Sequence, residues 1–125
     1  IATASFASSL SGTYYIGIRH RNTIESWSSV PVSLSSGSYD FTTAANKAFG
    51  SNQILVDTGK WALYSGDLNT DDNVDLLDMS LQEVDINNFG FGYLVTDING
   101  DGNVDLIDTM VMESNISDFI FSIHP

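Results

Sequence analysis

The chain has 125 residues, of which 16 are acidic, 4 are basic and none is cysteine, and its net charge is −12. This length suits one domain of ordinary size or two small ones. The negative charge disfavours nucleic acid as a partner, the lack of cysteine excludes disulfides and thiolate zinc sites, and no apolar run approaches the ~20 residues that cross a bilayer.

The first part of the chain, residues 1–65, carries short runs with strand character and is named the β-module. Aromatic and β-branched residues bounded by turn residues predict these strands, and the turn Asp57-Thr58-Gly59-Lys60 predicts a hairpin between the last two. Residues 44–49 suit a single helical turn that ends at Gly50. The predicted strands are residues 1–12, 14–20, 24–28, 31–34, 39–42, 54–56 and 61–64.

The β-module is expected to be an immunoglobulin-like β-sandwich that lacks one or two strands. A complete sandwich of that type needs about seven strands in ~100 residues, and this region offers five or six convincing ones. The chain also starts at Ile1, inside extended-looking sequence, which favours a processed or partial protein. We therefore expect an upstream segment or a neighbouring chain to supply the missing strand, so that this chain alone is not a self-sufficient monomer.

The remaining residues, 66–125, contain a repeated acidic loop. Residues 67–78 read DLNTDDNVDLLD (loop 1) and residues 97–108 read DINGDGNVDLID (loop 2), and residues 67–89 match residues 97–119 at eleven of twenty-three positions. Each loop precedes ten to fourteen residues of helical character. We expect Val74 and Val104, at loop position 8, to point into the core and to pair the two loops with each other.

The loop spacing predicts two bound calcium ions. Oxygen-bearing side chains at positions 1, 3, 5, 9 and 12, with a backbone carbonyl at position 7, match the ligands that calcium takes in such loops. Magnesium is a minor alternative, and a solvated Asx-rich turn is the alternative without metal. Because Asp72 stands where loop 2 has Gly102, we expect loop 1 to bind more weakly. The predicted ligands are Asp67, Asn69, Asp71, Asn73, Asp75 and Asp78 in loop 1, and Asp97, Asn99, Asp101, Asn103, Asp105 and Asp108 in loop 2.

The two regions differ sharply in charge. Residues 1–66 contain all four basic side chains and three acids, whereas residues 67–125 contain thirteen acids and no base. No Pro- or Ser-rich linker separates them, which indicates packed rather than tethered regions. The overall prediction is an α+β protein with domain 1–65 packed on domain 66–125.

The duplicated loop–helix units resemble the type I dockerin family, whose repeats follow D-x-N-x-D-G-x-V-D-x-x-D at similar spacing. The resemblance covers residues 66–123. It implies two calcium ions in the loops and helices that dock onto another protein to anchor secreted proteins. The family's partner-facing positions 10 and 11 correspond to Leu76, Leu77, Leu106 and Ile107. The run YYIGIRHRNTIESWSS also looks like a module that precedes such repeats in bacterial secreted surface proteins.

Helical spacing extends this candidate partner face. Leu77, Leu81 and Val84 share one face of the first helix, as do Ile107 and Val111 in the second. A second apolar face carries Met79 and Ile86, and Met112 and Ile116. A helix that is apolar on both sides must be covered on both sides, so we expect the β-module to cover at least one helix. The predicted partner-binding residues are Leu76, Leu77, Leu81, Leu106, Ile107 and Val111.

The sequence predicts a non-catalytic, extracellular or cell-surface module for anchoring or assembly, whose partner is another protein or a neighbouring copy. One alternative is a structural subunit of a filament or adhesin, completed by a neighbouring strand; another is the accessory C-terminal region of a secreted glycoside hydrolase. With only His20 and His124 and no cysteine, we expect no catalytic centre. Carbohydrate binding has weak support from exposed-looking aromatic residues, which more often pack in a core.

Overall fold

The computed structural model of the protein describes residues 11–35 and 38–125. Their fold is of mixed α and β type, with short strands in the first half and two helices in the second. The strand predicted in residues 1–12 lies almost entirely outside the described residues. The strands are β1 Thr13–Tyr14, β2 Gly17–Ile18, β3 Ser26–Trp27, β4 Val32–Ser33, β5 Ile54–Asp57 and β6 Lys60–Ala62; the helices are α1 Leu76–Asn87 and α2 Leu106–Ser117.

The strands form three separate antiparallel pairs, β1 with β4, β2 with β3 and β5 with β6. The predicted hairpin is confirmed, with Leu55 opposite Trp61. The turn at Asn22-Thr23 predicts that residues 24–28 pair back against residues 14–20, and this pairing is confirmed at Gly17 opposite Trp27. The run 14–20 is nevertheless divided, since Tyr14 pairs with β4 instead. Two packed sheets, as a sandwich requires, are not formed by the part of the chain that the structure describes.

The strand predicted at residues 39–42 is wrong. This segment forms a 3-10 helix at Phe41–Thr43, because the Asp40 carboxylate accepts a hydrogen bond from the Thr42 backbone N–H at 2.8 Å and caps the turn. Two further 3-10 turns follow at Ala45–Lys47 and Phe49–Ser51, close to the predicted helical turn. Local side-chain capping therefore overrides the strand tendency of the aromatic residues.

Both predicted helices are confirmed, and each begins at the tenth loop position, directly after an N-cap at the ninth. Asp75 and Asp105 are the N-caps; each accepts a hydrogen bond from the backbone N–H two residues later and belongs to a capping box with Asp78 or Asp108. Gly90 and Gly92 in the sequence predict the end of the first helix, but the helix already ends before either glycine, so this prediction is wrong. The helices end at Asn87 and Ser117, and the left-handed residue after each is Phe89 (φ 54°) and Phe119 (φ 52°).

The loops are not paired with each other, which corrects the predicted bridge between Val74 and Val104. Val74 donates its N–H to the Ile120 carbonyl at 2.9 Å, and Val104 donates to the Gly90 carbonyl at 2.9 Å. Each loop thus pairs with the segment that follows the helix of the other repeat. Both valines are buried, as predicted. This exchange places the chain that follows one helix beside the loop of the other repeat.

One hydrophobic core joins the two halves of the chain. Ile24 of the β-module is fully buried and packs with Leu68, Val74 and Met112, while Tyr64 packs against the same cluster. The β-module therefore covers the helix face that carries Met112, which confirms part of the predicted coverage. The opposite helix face remains exposed.

Candidate metal loops and helix surface

The first ligand position of each loop is a buried carboxylate that closes the turn. In loop 1, Asp67 accepts hydrogen bonds from the N–H groups of Asp71 at 3.1 Å and Asp72 at 3.2 Å. In loop 2, Asp97 accepts from Gly100 at 2.8 Å and Gly102 at 3.1 Å. These contacts wrap the backbone around position 1. The bond from position 6 is common to both loops, while the second donor is position 5 in loop 1 and position 4 in loop 2.

Positions 3 and 5 repeat the pattern on the outer side of each loop. The Asn69 side-chain oxygen accepts from the Asp71 N–H at 2.9 Å, and Asp71 accepts from Asn73 at 3.0 Å. In loop 2, Asn99 accepts from Asp101 at 2.7 Å and Asp101 from Asn103 at 2.9 Å. Successive Asx turns therefore shape both loops.

Position 12 ties the start of each loop to the helix that follows. Asp78 accepts from Leu68 at 2.8 Å and Asn69 at 3.1 Å through Oδ1, and from the Asp75 N–H at 2.9 Å through Oδ2. Asp108 accepts the equivalent three bonds in loop 2. Asp67, Asp78 and Asp108 are 0% exposed and Asp97 is 3% exposed. Positions 1 and 12 thus place two buried acids in each loop.

These carboxylates are suited to a cation by their chemistry. None of them forms an ion pair with a basic side chain in residues 11–35 and 38–125, where the ion pairs involve Asp72 and Glu25. A buried carboxylate without a counter-charge is costly. Burial raises the pKa of Asp67, although N–H groups of Asp72 and Asp71 oppose that shift, and the nearby Asp78 adds to it. Hydrogen bonds from Asn69 and Asn73 lower the pKa of Asp71.

The carboxylate oxygens are directed at backbone N–H groups. Within the described residues, no group of three or more His, Cys, Asp or Glu side chains is arranged to hold a metal ion. The sequence-predicted ligand set also includes an asparagine side chain and a backbone carbonyl in each loop. The structure therefore gathers the predicted residues within two turns of the same shape, without drawing their acids to a common centre.

The two loops differ at positions 4 and 6. Loop 1 has Thr70 (φ 62°) and Asp72 (φ 73°) in left-handed backbone conformations, where loop 2 has Gly100 (φ 77°) and Gly102 (φ 89°). Glycine adopts this region without the Cβ clash that other residues meet. The Asp72 difference was part of the sequence analysis, whereas the equivalent Thr70 difference was missed although the alignment of the loops contains it.

Arginines of the β-module contact the loops, a feature that sequence reasoning also missed. Arg19 donates to the Thr70 carbonyl at 3.2 Å and forms an ion pair with Asp72. Arg21 donates to the Asp97 carbonyl at 3.0 Å and lies 4.2 Å from the centre of the Tyr93 ring. The confinement of all basic residues to the first half was the available signal.

The predicted partner-binding residues lie on exposed helix surface. On α1 the exposed fractions are 66% for Leu76, 63% for Leu77 and 45% for Leu81; on α2 they are 72% for Leu106, 53% for Ile107 and 39% for Val111. Val84 and Met110 are exposed beside them. The helices thus present apolar side chains outward, on the side opposite the shared core.

Comparisons with known proteins do not assign a family. No protein-family model matches the chain, and neither a curated protein nor a solved structure is significantly similar to it. Among the described residues, neither helix has the length and apolar character that a membrane span requires.

Proposed function

We propose that the protein is a secreted, non-catalytic module that binds two calcium ions and anchors or assembles a larger protein through its helices. The observation that carries the proposal is the duplicated loop, in which buried acids at positions 1 and 12 lack a basic partner among the described residues. Oxygen donors of this number and spacing suit calcium, which accepts 6–8 ligands in flexible geometry.

Calcium would have two effects on these loops. It would supply the counter-charge that the buried acids need, and it would draw the carboxylates of positions 1, 5 and 12 toward one centre. Binding that favours the folded state stabilises it by about 2.7 kcal/mol for each site at 100 times its Kd. Calcium is thus a structural cofactor in this proposal, and the loop–helix pair is dockerin-like.

The partner in this proposal is another protein that covers the outward helix surface. Contiguous exposed apolar side chains are uncommon on monomeric proteins and often mark interaction sites. Leu77 and Ile107 are more than half exposed at equivalent positions of the two repeats. The dockerin-like resemblance assigns the same positions to partner contact, and calcium would hold the helices in place for it.

Calorimetric titration of the chelator-treated protein with Ca²⁺ tests the calcium sites. We expect two sites in the natural sequence, loss of one in Asp67→Ala and loss of the other in Asp97→Ala. Asp57→Ala, which removes an exposed acid of the hairpin, is the matched control and should retain both. Absence of binding in the natural sequence, or retention of both sites in Asp67→Ala or in Asp97→Ala, would contradict two calcium loops.

A second candidate function, a filament or adhesin subunit completed by a strand, is favoured by the β5–β6 hairpin. This hairpin is a two-stranded sheet with exposed Ile54, Leu55 and Val56, and such a sheet is marginally stable in isolation. A strand from another chain would pair with its edge, and the immunoglobulin-like sandwich stays a prediction of this completed state. Light scattering tests it: concentration-dependent self-association is expected, whereas a stable monomer with a cooperative melt would contradict it.

A further inference from the structure

Loop 1 has the backbone shape of a calcium loop although two of its residues are of types that rarely adopt the left-handed conformation this shape requires. Thr70 and Asp72 both have positive φ, at 62° and 73°, in the two places where loop 2 has glycine. A side chain at such a position brings its Cβ too close to the backbone. An arrangement of this kind persists only where surrounding contacts hold it, so the contacts around these two residues show what holds loop 1.

One side chain from outside the loop reaches both strained residues. The Arg19 guanidinium donates through Nη1 to the Thr70 carbonyl at 3.2 Å, and its Nη2 pairs with the Asp72 carboxylate. The same Nη2 also contacts Glu25 at 3.2 Å, which fixes the arginine on the β-module. The planar guanidinium can hold a carbonyl and a carboxylate at once, which a lysine cannot do in the same geometry.

Loop 2 receives no equivalent support in the part of the chain that the structure describes. Arg21 reaches loop 2 at the Asp97 carbonyl, which belongs to position 1, and its guanidinium faces the Tyr93 ring. Arg21 lines the same cavity as Gly100 and Gly102, but within residues 11–35 and 38–125 no arginine forms a hydrogen bond to either glycine. The arginine contact at positions 4 and 6 therefore coincides with the loop that lacks glycine there.

We propose that Arg19 is a positioning residue that keeps loop 1 in its calcium-binding shape, so that this one side chain of the β-module raises the affinity of loop 1 and leaves that of loop 2 unchanged. This inference rests on the proposed calcium function. Two effects of Arg19 oppose each other, because its positive charge repels Ca²⁺ while its contacts preorganise the loop. Two carboxylates, those of Asp72 and Glu25, already compensate the charge, so preorganisation is the larger effect.

The first experiment needs no calcium. In chelator, with an excluded osmolyte added until circular dichroism shows α1 and α2 folded, amide hydrogen exchange by NMR compares two equivalent N–H groups. These are the Asp72 N–H, which donates to Asp67, and the Gly102 N–H, which donates to Asp97 at the same position of loop 2. Arg19→Gln should speed exchange at Asp72 severalfold and leave Gly102 unchanged. Equal protection at Asp72 in both proteins would overturn the inference, whether or not the loops bind calcium.

The second experiment measures calcium affinity in a mutant cycle. Arg19→Ala should weaken binding at loop 1 about fivefold, the scale of a partly exposed charged contact, and leave loop 2 unchanged. In the Thr70→Gly, Asp72→Gly background, whose loop 1 has the glycines of loop 2, Arg19→Ala should no longer weaken binding. Unchanged or tighter binding in the natural background would overturn the inference. If the natural protein binds no calcium, the proposed function fails, and the exchange experiment alone decides the role of Arg19.

Discussion

The two acidic loops reach one shape by different means. Both use position 1 to accept two N–H groups of the turn and position 12 to accept three more. Loop 2 forms its turn with Gly100 and Gly102. Loop 1 forms it with Thr70 and Asp72, and Arg19 contacts both of these residues. The backbone of loop 2 is therefore adapted locally, and that of loop 1 depends on a distant part of the chain.

The two loops therefore differ in how much of their stability comes from their own residues and how much from contacts with the rest of the protein. A non-glycine residue in left-handed conformation costs roughly 1–2 kcal/mol. Loop 1 has two such residues, so its backbone strain is up to about twice that amount. The contacts of Arg19 and the burial of Val74 in the shared core offset it. Loop 1 should therefore respond to changes in the β-module, and loop 2 should respond mainly to changes in its own sequence.

Removal of calcium should produce the largest effect on both loops. Eight carboxylates occupy the predicted ligand positions, and without a cation they repel one another. Circular dichroism in chelator should show loss of helical signal, because α1 and α2 begin within the loops, while the strand signal should persist. An unchanged spectrum would show that the metal has no structural role in either loop.

Ile24→Ala should break the tertiary support of loop 1. The fully buried Ile24 packs with Leu68 and Val74 of that loop, and truncation of a buried isoleucine to alanine typically costs about 2–5 kcal/mol. Urea unfolding in calcium measures the loss. Val30→Ala, at a position that is 56% exposed, is the control and should change the midpoint little. Equal midpoints for the two variants would mean that the halves do not share a core.

Gly102→Asp should introduce into loop 2 the backbone strain that Asp72 causes in loop 1. A Cβ at Gly102 would meet no atom within 4 Å, but φ is 89°, so the cost is backbone strain of roughly 1–2 kcal/mol. Arg21 lines the same cavity as Gly102, but it bonds to the Asp97 carbonyl and not to position 6, so it does not offset this strain. The unfolding free energy should fall by about 1 kcal/mol or more, and calcium affinity at loop 2 should fall with it. A variant as stable as the natural protein would show that the glycines do not distinguish the loops.

Acid should weaken loop 1 through Asp67. Burial raises the pKa of this carboxyl, and a ligand must be ionised to bind calcium. Affinity at loop 1 should therefore fall as the pH is lowered through that raised pKa, by about tenfold per pH unit below it for one proton. In the metal-free protein the sign is opposite: protonated Asp67 contributes stability at acid pH, and this is lost as the pH rises through the raised pKa. At several pH values, titration calorimetry measures the calcium affinity and scanning calorimetry measures the stability of the metal-free protein.

The sequence allowed prediction of the elements that short-range chemistry determines. The N-cap aspartates and the carboxyl at position 12 lie three residues apart, so the helix starts at residues 76 and 106 follow from the loops themselves. Burial of the valines at position 8 was also predictable, from their place in the loop pattern. The apolar pattern also located both apolar faces of each helix, but it did not indicate which face the core would bury.

The remainder depends on contacts between distant segments. No local signal in the sequence indicates the pairing of Val74 with Ile120, which lies 46 residues later, or the support of loop 1 by Arg19. The Asp40 cap outweighed strand tendency in residues 39–42. Phe89 and Phe119 are left-handed after α1 and α2, and nothing in their local sequence indicates that conformation.

A residue-resolved calcium titration by NMR tests the central claim most directly, because the Asp72 and Gly102 amides report the two loops separately. The account predicts that both signals shift on addition of Ca²⁺ to the chelator-treated chain, that of Gly102 at the lower calcium concentration. Signals that do not move, or an Asp72 shift that is complete before that of Gly102 begins, would contradict it.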